Sequence, residues 1–260
     1  MPTSLIDSIG SDGEASIRPI NESLINATYC LTTKHDRYLL KQFHADDSTA
    51  RARPALVALQ RKIARFGLAP QPIYLCQKQG LYVEEWIAPS AMPLAIMDET
   101  ERLQHLAKAL HLTHKLPVST SVMDLPAQWS HYCAAAKIDG NDRLFLEQQN
   151  YQTLAQECFE ESEHLVLCHN DMALNHIIDH ERPIIIDWEY AATGNRYFDI
   201  ASAITINRLS RPQQQILFSE YAEHSGLSEG EIAKQVLTIE PLVNITYKLW
   251  YAAITEHIKG

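Results

Sequence analysis

The stretch LVLCHNDMALNHIIDHERPIIIDWEY sets His169, Asn170, Asp171, Asn175, His176, Asp187 and Glu189 between and just after two apolar runs. Polar groups beside buried strands are costly unless they find partners or a use. A strand–turn–strand between Asp171 and Asp187 would bring both carboxylates to one end of a hairpin. Two carboxylates at one mouth suit a hard cation such as Mg²⁺, or a division of labour between a base and a metal ligand. Lys41, inside YLLKQF, adds a positive charge for phosphate oxygens. Base, metal and counter-charge are what phosphoryl transfer needs, since that reaction depends on positioning and charge neutralisation more than on covalent chemistry.

Several elements must place these groups. Tyr29–Leu31 and Tyr38–Phe43 read as strands joined by the polar turn TTKHDR, with Lys41 in the second. TARARPALVALQRKIARFG reads as a helix that Gly67 stops, with Pro54 acceptable only near its start. PIYLC and LYVEEWI form a second strand pair, and Pro89 and Pro93 break the chain after it. From Asp98 the pattern turns helical, with Leu103, Leu106, Leu110 and His114 on one face. Further helix is expected over Trp129–Ala136 and Leu144–Ser162. LVLCHND and PIIIDWEY read as short strands, and the chain after Phe198 as helix. The expected organisation is therefore a strand-rich region over residues 1–88 and a helix-rich region over 89–260.

These segments resemble the aminoglycoside phosphotransferase/choline kinase superfamily. HNDMALNHII followed by IIIDWEYAATGNRYFDIA is similar to that family's H-x-D-x-x-x-x-N motif and metal-aspartate strand, and the second segment is particularly close to choline kinases. The resemblance extends over most of the chain. It implies an α+β, two-lobed, protein-kinase-like fold with a small β-rich N-lobe and a larger helical C-lobe. It implies ATP and Mg²⁺ as cofactors and the hydroxyl of a small alcohol as phosphate acceptor. Residue by residue, Asp171 becomes the catalytic base, Asp187 the Mg²⁺ ligand and Lys41 the phosphate-binding lysine. Asn26 falls in the phosphate-covering hairpin NESLINATYCL, and Glu85, Trp86 and Ile87 in the adenine-binding hinge. His169 becomes a strut of the catalytic loop.

The chain departs from the family pattern at three points. The family's metal-binding Asn falls on His176, with Asn175 one place earlier, and either side chain is a candidate ligand. Glu22 and Ser23 stand where the family often has glycines. No glutamate lies early in TARARPALVALQ to pair with Lys41. Glu189 is a candidate substrate contact. Tyr247 and Trp250, in NITYKLWYAAI, match in part the choline-kinase helix that carries W-x-x-W. Their i, i+3 spacing puts both on one helical face, where they serve either a cation or the core.

Composition narrows the partners. The formal charge of −10 argues against a nucleic-acid backbone and is compatible with a cationic substrate. No apolar run approaches the roughly 18 residues that span a bilayer. The five cysteines form no C-x-x-C pair and read as free thiols. With no apparent signal segment, a cytoplasmic location is expected; the oligomeric state stays open. The expected function is a kinase of choline or ethanolamine, ahead of thiamine or an aminoglycoside. Two other classes compete with it. One is a metal-dependent hydrolase using His169, Asp171, His176 and Asp187. The other is a degenerate kinase that only binds its ligand.

Overall fold

The computed structural model describes residues 15–22, 26–43, 52–90, 94–160 and 162–259. Ser23, Pro93 and the expected helix start at 49–51 lie outside them. The chain divides into two compact units, Met1–Ala88 and Pro89–Gly260.

The first unit is a five-stranded antiparallel sheet in the order β1-β2-β3-β5-β4. Its strands are β1 (Ala15–Glu22), β2 (Asn26–Thr33), β3 (Arg37–Phe43), β4 (Pro72–Cys76) and β5 (Leu81–Glu85). One face gathers Leu31, Leu40 and Val83 into a core. The opposite alternation places Lys41 on the other face, across from Thr28 on one side and Tyr82 on the other. The β2–β3 turn closes on Thr33, whose hydroxyl accepts the Asp36 amide at 3.0 Å. Helix α1 (Arg53–Ala64) begins with proline in its first turn, where the missing N–H is no loss. Gly67, at φ +74°, follows its last turn in the left-handed region.

The second unit is mainly helical: α2 (Glu99–Lys115), α3 (Leu125–Ala135), α4 (Arg143–Gln149), α5 (Gln152–Glu157), α6 (Arg196–Ile206), α7 (Arg211–Ser225) and α8 (Glu229–Lys259). Asp98, Asp124 and Asn195 cap α2, α3 and α6 by accepting backbone amides. Helix α2 packs on α7, while α3 and α6 pack on α8. The expected continuous helix over Leu144–Ser162 is two short ones, parted at Asn150–Tyr151. Tyr151 is not helical there (φ −111°, ψ 4°).

The expected single hairpin is replaced by two ladders. Strand β6 (Leu165–Cys168) pairs with β9 (Ala192–Asn195), and β7 (Ile177–Asp179) with β8 (Ile184–Ile185). Asp171 follows β6 and Asp187 follows β8, so no single hairpin presents both carboxylates. PIIIDWEY is extended only over β8, after which Trp188–Tyr190 make a 3-10 turn. The β7–β8 turn carries its own cap: Asp179 Oδ1 accepts the amides of Glu181 (3.1 Å) and Arg182 (3.2 Å) and the Ser90 hydroxyl (3.2 Å).

Candidate active site

The loop leaving β6 is held by Asp199, a fully buried carboxylate in the first turns of α6. Asp199 Oδ2 accepts the His169 amide at 2.8 Å, and Oδ1 accepts the Asn170 amide at 2.7 Å. His114 of α2 donates from Nε2 to Oδ2 at 3.0 Å, and its Nδ1 meets the Tyr221 hydroxyl at 2.7 Å. Burial alone would raise the Asp199 carboxyl, but the His114 hydrogen bond and charge and the backbone amide outweigh it and hold it below its ordinary value. His114, Cys168 and Asp199 are the buried trio with ligand atoms within 4.8 Å of one another among the described residues. Asp199's oxygens and the His114 Nε2 proton are already spent on this network.

His169 is a strut. Its Nδ1 accepts the Asp171 amide at 3.2 Å and its Nε2 donates to the Ile186 carbonyl at 2.9 Å. Burial first, then the neighbouring His176, pushes its pKa down to about 4, so the ring is neutral at ordinary pH. These bonds tie the loop that bears Asp171 to the strand exit that bears Asp187.

Asp171, His176 and Asp187 are brought together. His176 Nδ1 donates to the Asp171 carbonyl at 2.8 Å, which turns Nε2 toward Asp187 Oδ2 at 3.5 Å. The Asp171 carboxylate lies 3.8 Å from His176 Nδ1. Both carboxylates stay about 30% exposed. Asn175, one residue earlier in the same 3-10 turn, is exposed to solvent. Asp187 adopts φ +66°, a left-handed conformation that Asp tolerates better than most residues.

A cavity of about 80 Å³ opens beside Asp171. Tyr132, Tyr190, Phe198, Tyr247 and Trp250 supply its aromatic wall, and none of its lining residues is basic. Trp250 Nε1 donates to the Tyr190 hydroxyl at 2.8 Å, and the Tyr247 and Trp250 rings stand 5.4 Å apart. Burial, then the Glu189 charge, pushes the Tyr190 phenol well up. Glu189 itself is not among the cavity's lining residues, but its charge raises the Tyr132 and Tyr190 phenols. Tyr132 and Tyr190 escaped the sequence reading because an isolated aromatic carries no spacing signal.

The remaining residues of interest belong to the first unit. Lys41 is 8% exposed in the middle of β3. Asn26 opens β2, Glu85 closes β5, and Trp86 and Ile87 follow it.

The sequence profile of the phosphotransferase enzyme family matches residues 16–234. The chain belongs to that family. This phosphotransferase is 32% identical over 95 residues to the protein LicA of Haemophilus influenzae. That match covers 35% of this chain and 36% of LicA, so the chain spans about a third of the curated relative's length. The choline kinase LicA from Streptococcus pneumoniae superposes with a TM-score of 0.74 at 16% identity, over 98% of this chain and 90% of the other. An ethanolamine kinase from Plasmodium vivax gives 0.75 at 16% identity, over 98% and 80%. The phosphotransferase thus has the kinase-like fold of the superfamily its motifs resemble. All five of its cysteines are free thiols. Among the described residues no helix is long and apolar enough to cross a membrane.

Proposed function

We propose that the protein transfers the γ-phosphoryl group of ATP to the hydroxyl of a small cationic alcohol, choline or ethanolamine before thiamine. The observation that carries this reading is the aromatic cavity beside Asp171. A cation in such a place is held by ring faces, each worth about 0.5–2 kcal/mol once desolvated, and by the charge of Asp171, which lines the cavity with them. The choline kinase and the ethanolamine kinase with the same fold support the same class of acceptor.

In this reading Asp171 accepts the hydroxyl proton and aims the oxygen. Lys41 contacts phosphate oxygens, and Asn26 with Glu85–Ile87 receives the rest of the nucleotide. Asp187, with His176 beside it, fits a divalent cation that takes one or two protein ligands and completes its shell with water and phosphate. Such a cation, when bound, neutralises the phosphate charge. Imidazole is a poorer partner for Mg²⁺ than an amide oxygen, so His176→Asn is expected to be tolerated. His176→Ala is expected to raise the Mg²⁺ concentration for half-maximal rate by about 10-fold, and Asn175→Ala by less than about 2-fold. Titration of initial rates checks this, and the reverse order assigns the ligand to Asn175.

The hydrolase reading is disfavoured by His169. Both of its ring nitrogens are engaged with the backbone, which leaves it no lone pair for a metal.

Trp250→Leu tests the cavity. The KM for the cationic alcohol is expected to rise roughly 5- to 30-fold through loss of the ring, with the KM for ATP nearly unchanged. A variant that melts earlier but keeps its acceptor KM reduces Trp250 to packing and removes the main support for a cationic substrate.

A further inference from the structure

The second unit holds two spaces that share a wall. One is the cavity of about 80 Å³ beside Asp171. The other is a groove of about 550 Å³ between the start of α3 and the end of α5. Met123 is the residue common to both linings. A second contact joins them: Phe198 of the cavity and Phe159 of the groove meet with their ring centroids 5.7 Å apart. The wall is thus Met123 together with this ring pair.

One part of the wall is fixed and the other can yield. Phe159 and Phe198 are 9% and 4% exposed. A Cβ on Gly194 would stand 3.5 Å from the Phe159 ring, so that ring is packed from a second side as well. Rings in a close-packed interior keep their places. Met123 is pinned by its backbone, whose amide donates to the Thr193 carbonyl at 2.8 Å. The next residue, Asp124, caps α3 by accepting the Ala127 amide at 2.9 Å. The Met123 side chain, by contrast, is half-buried, unbranched and adaptable.

We propose that Met123 sets the length of acceptor that the site takes, by closing the small cavity off from the groove. The proposal rests on the kinase reading above, in which the acceptor hydroxyl is held at Asp171. Anything added at the far end of the acceptor must then fit in the cavity or displace the wall. An apolar arm too long for the cavity overpacks it, and overpacking is costly. Without the Met123 side chain the same arm reaches the groove, where Leu125, Ala155 and Phe159 offer it apolar surface.

The experiment uses (2-hydroxyethyl)dimethylammonium compounds whose fourth nitrogen substituent is methyl, ethyl, butyl or hexyl, with the full chain, ATP and Mg²⁺. In the wild type, kcat/KM for the hexyl compound is expected to lie about 10- to 100-fold below that for the methyl compound. In Met123→Ala that gap is expected to close to within about 3-fold, and in Met123→Leu, which keeps the bulk, to persist. Each gap is a ratio within one variant, so a general loss of activity cancels. A wild type that uses the hexyl compound as well as the methyl one overturns the proposal. So does a gap of wild-type size in Met123→Ala. Should that variant fail to fold, Met123→Val takes its place, with a gap expected between the two extremes and an unchanged gap overturning the proposal. If the wild type phosphorylates none of the four, the kinase reading falls. Calorimetric binding of the same compounds then tests the wall separately. A Kd that weakens with arm length in the wild type and recovers in Met123→Ala supports it; parallel series, or no binding to either, overturn it.

Discussion

Asp171→Asn is expected to lower kcat by at least about 100-fold, within the range of general-base contributions, while thermal unfolding stays close to wild type. The substitution keeps the shape of the side chain and the backbone bonds that position it. The Asp171 amide still donates to His169, and its carbonyl still accepts from His176. What is lost is the carboxylate that takes the hydroxyl proton. Turnover near the wild-type level, with a phosphorylated alcohol as product, would remove Asp171 from this role.

Asp199→Ala is expected to be the most damaging single change to stability. It strands two backbone amides and a histidine donor in a fully buried place. Removing one partner of a buried charged network typically costs about 3–5 kcal/mol, a large share of the roughly 5–15 kcal/mol that holds a domain together. Urea unfolding measures the loss. A change within about 0.5 kcal/mol would mean that the loop is held by other contacts. Activity is expected to fall as well, because the two stranded amides belong to His169 and Asn170, immediately before Asp171.

The sequence announced Asp171 and Asp187 because polar residues crowded against apolar strands stand out, and because the spacing of the motif is specific. Most of the first unit's sheet was legible because its strands are short apolar runs bounded by polar turns such as TTKHDR. Its edge strand β1 was not. Ile17 and Ile20 are 44% and 50% exposed, and a register shift between Pro19 and Asn21 breaks the alternation. The pairing around the site was hidden for a related reason. Strand β9, Ala192–Asn195, reads ATGN, which carries turn chemistry and no apolar pattern. Strand β7 is only three residues long. Asp199 lay in plain view in YFDIA, but its partner His114 is 85 residues away along the chain. Nothing local reports a bond of that range. Asn170 was visible as a polar residue beside Asp171, but its bond to the Tyr190 carbonyl, 20 residues on, was not.

The two ladders also separate chain length from chemistry. Asp171 and Asp187 are linked through the β6 exit, through His176, and through the bond from His169 to Ile186. None of these links runs through the Asp179-capped turn between β7 and β8. The Arg182 side chain there is 89% exposed, and the entropy of closing a loop grows slowly with its length. A reporter peptide or an affinity handle spliced between Glu181 and Arg182 is therefore expected to cost the Arg182 amide its bond to Asp179 while the two catalytic-loop carboxylates keep their distance. For the same reason, a search pattern that fixes the number of residues between the two aspartates will discard relatives on a feature with no bearing on the reaction.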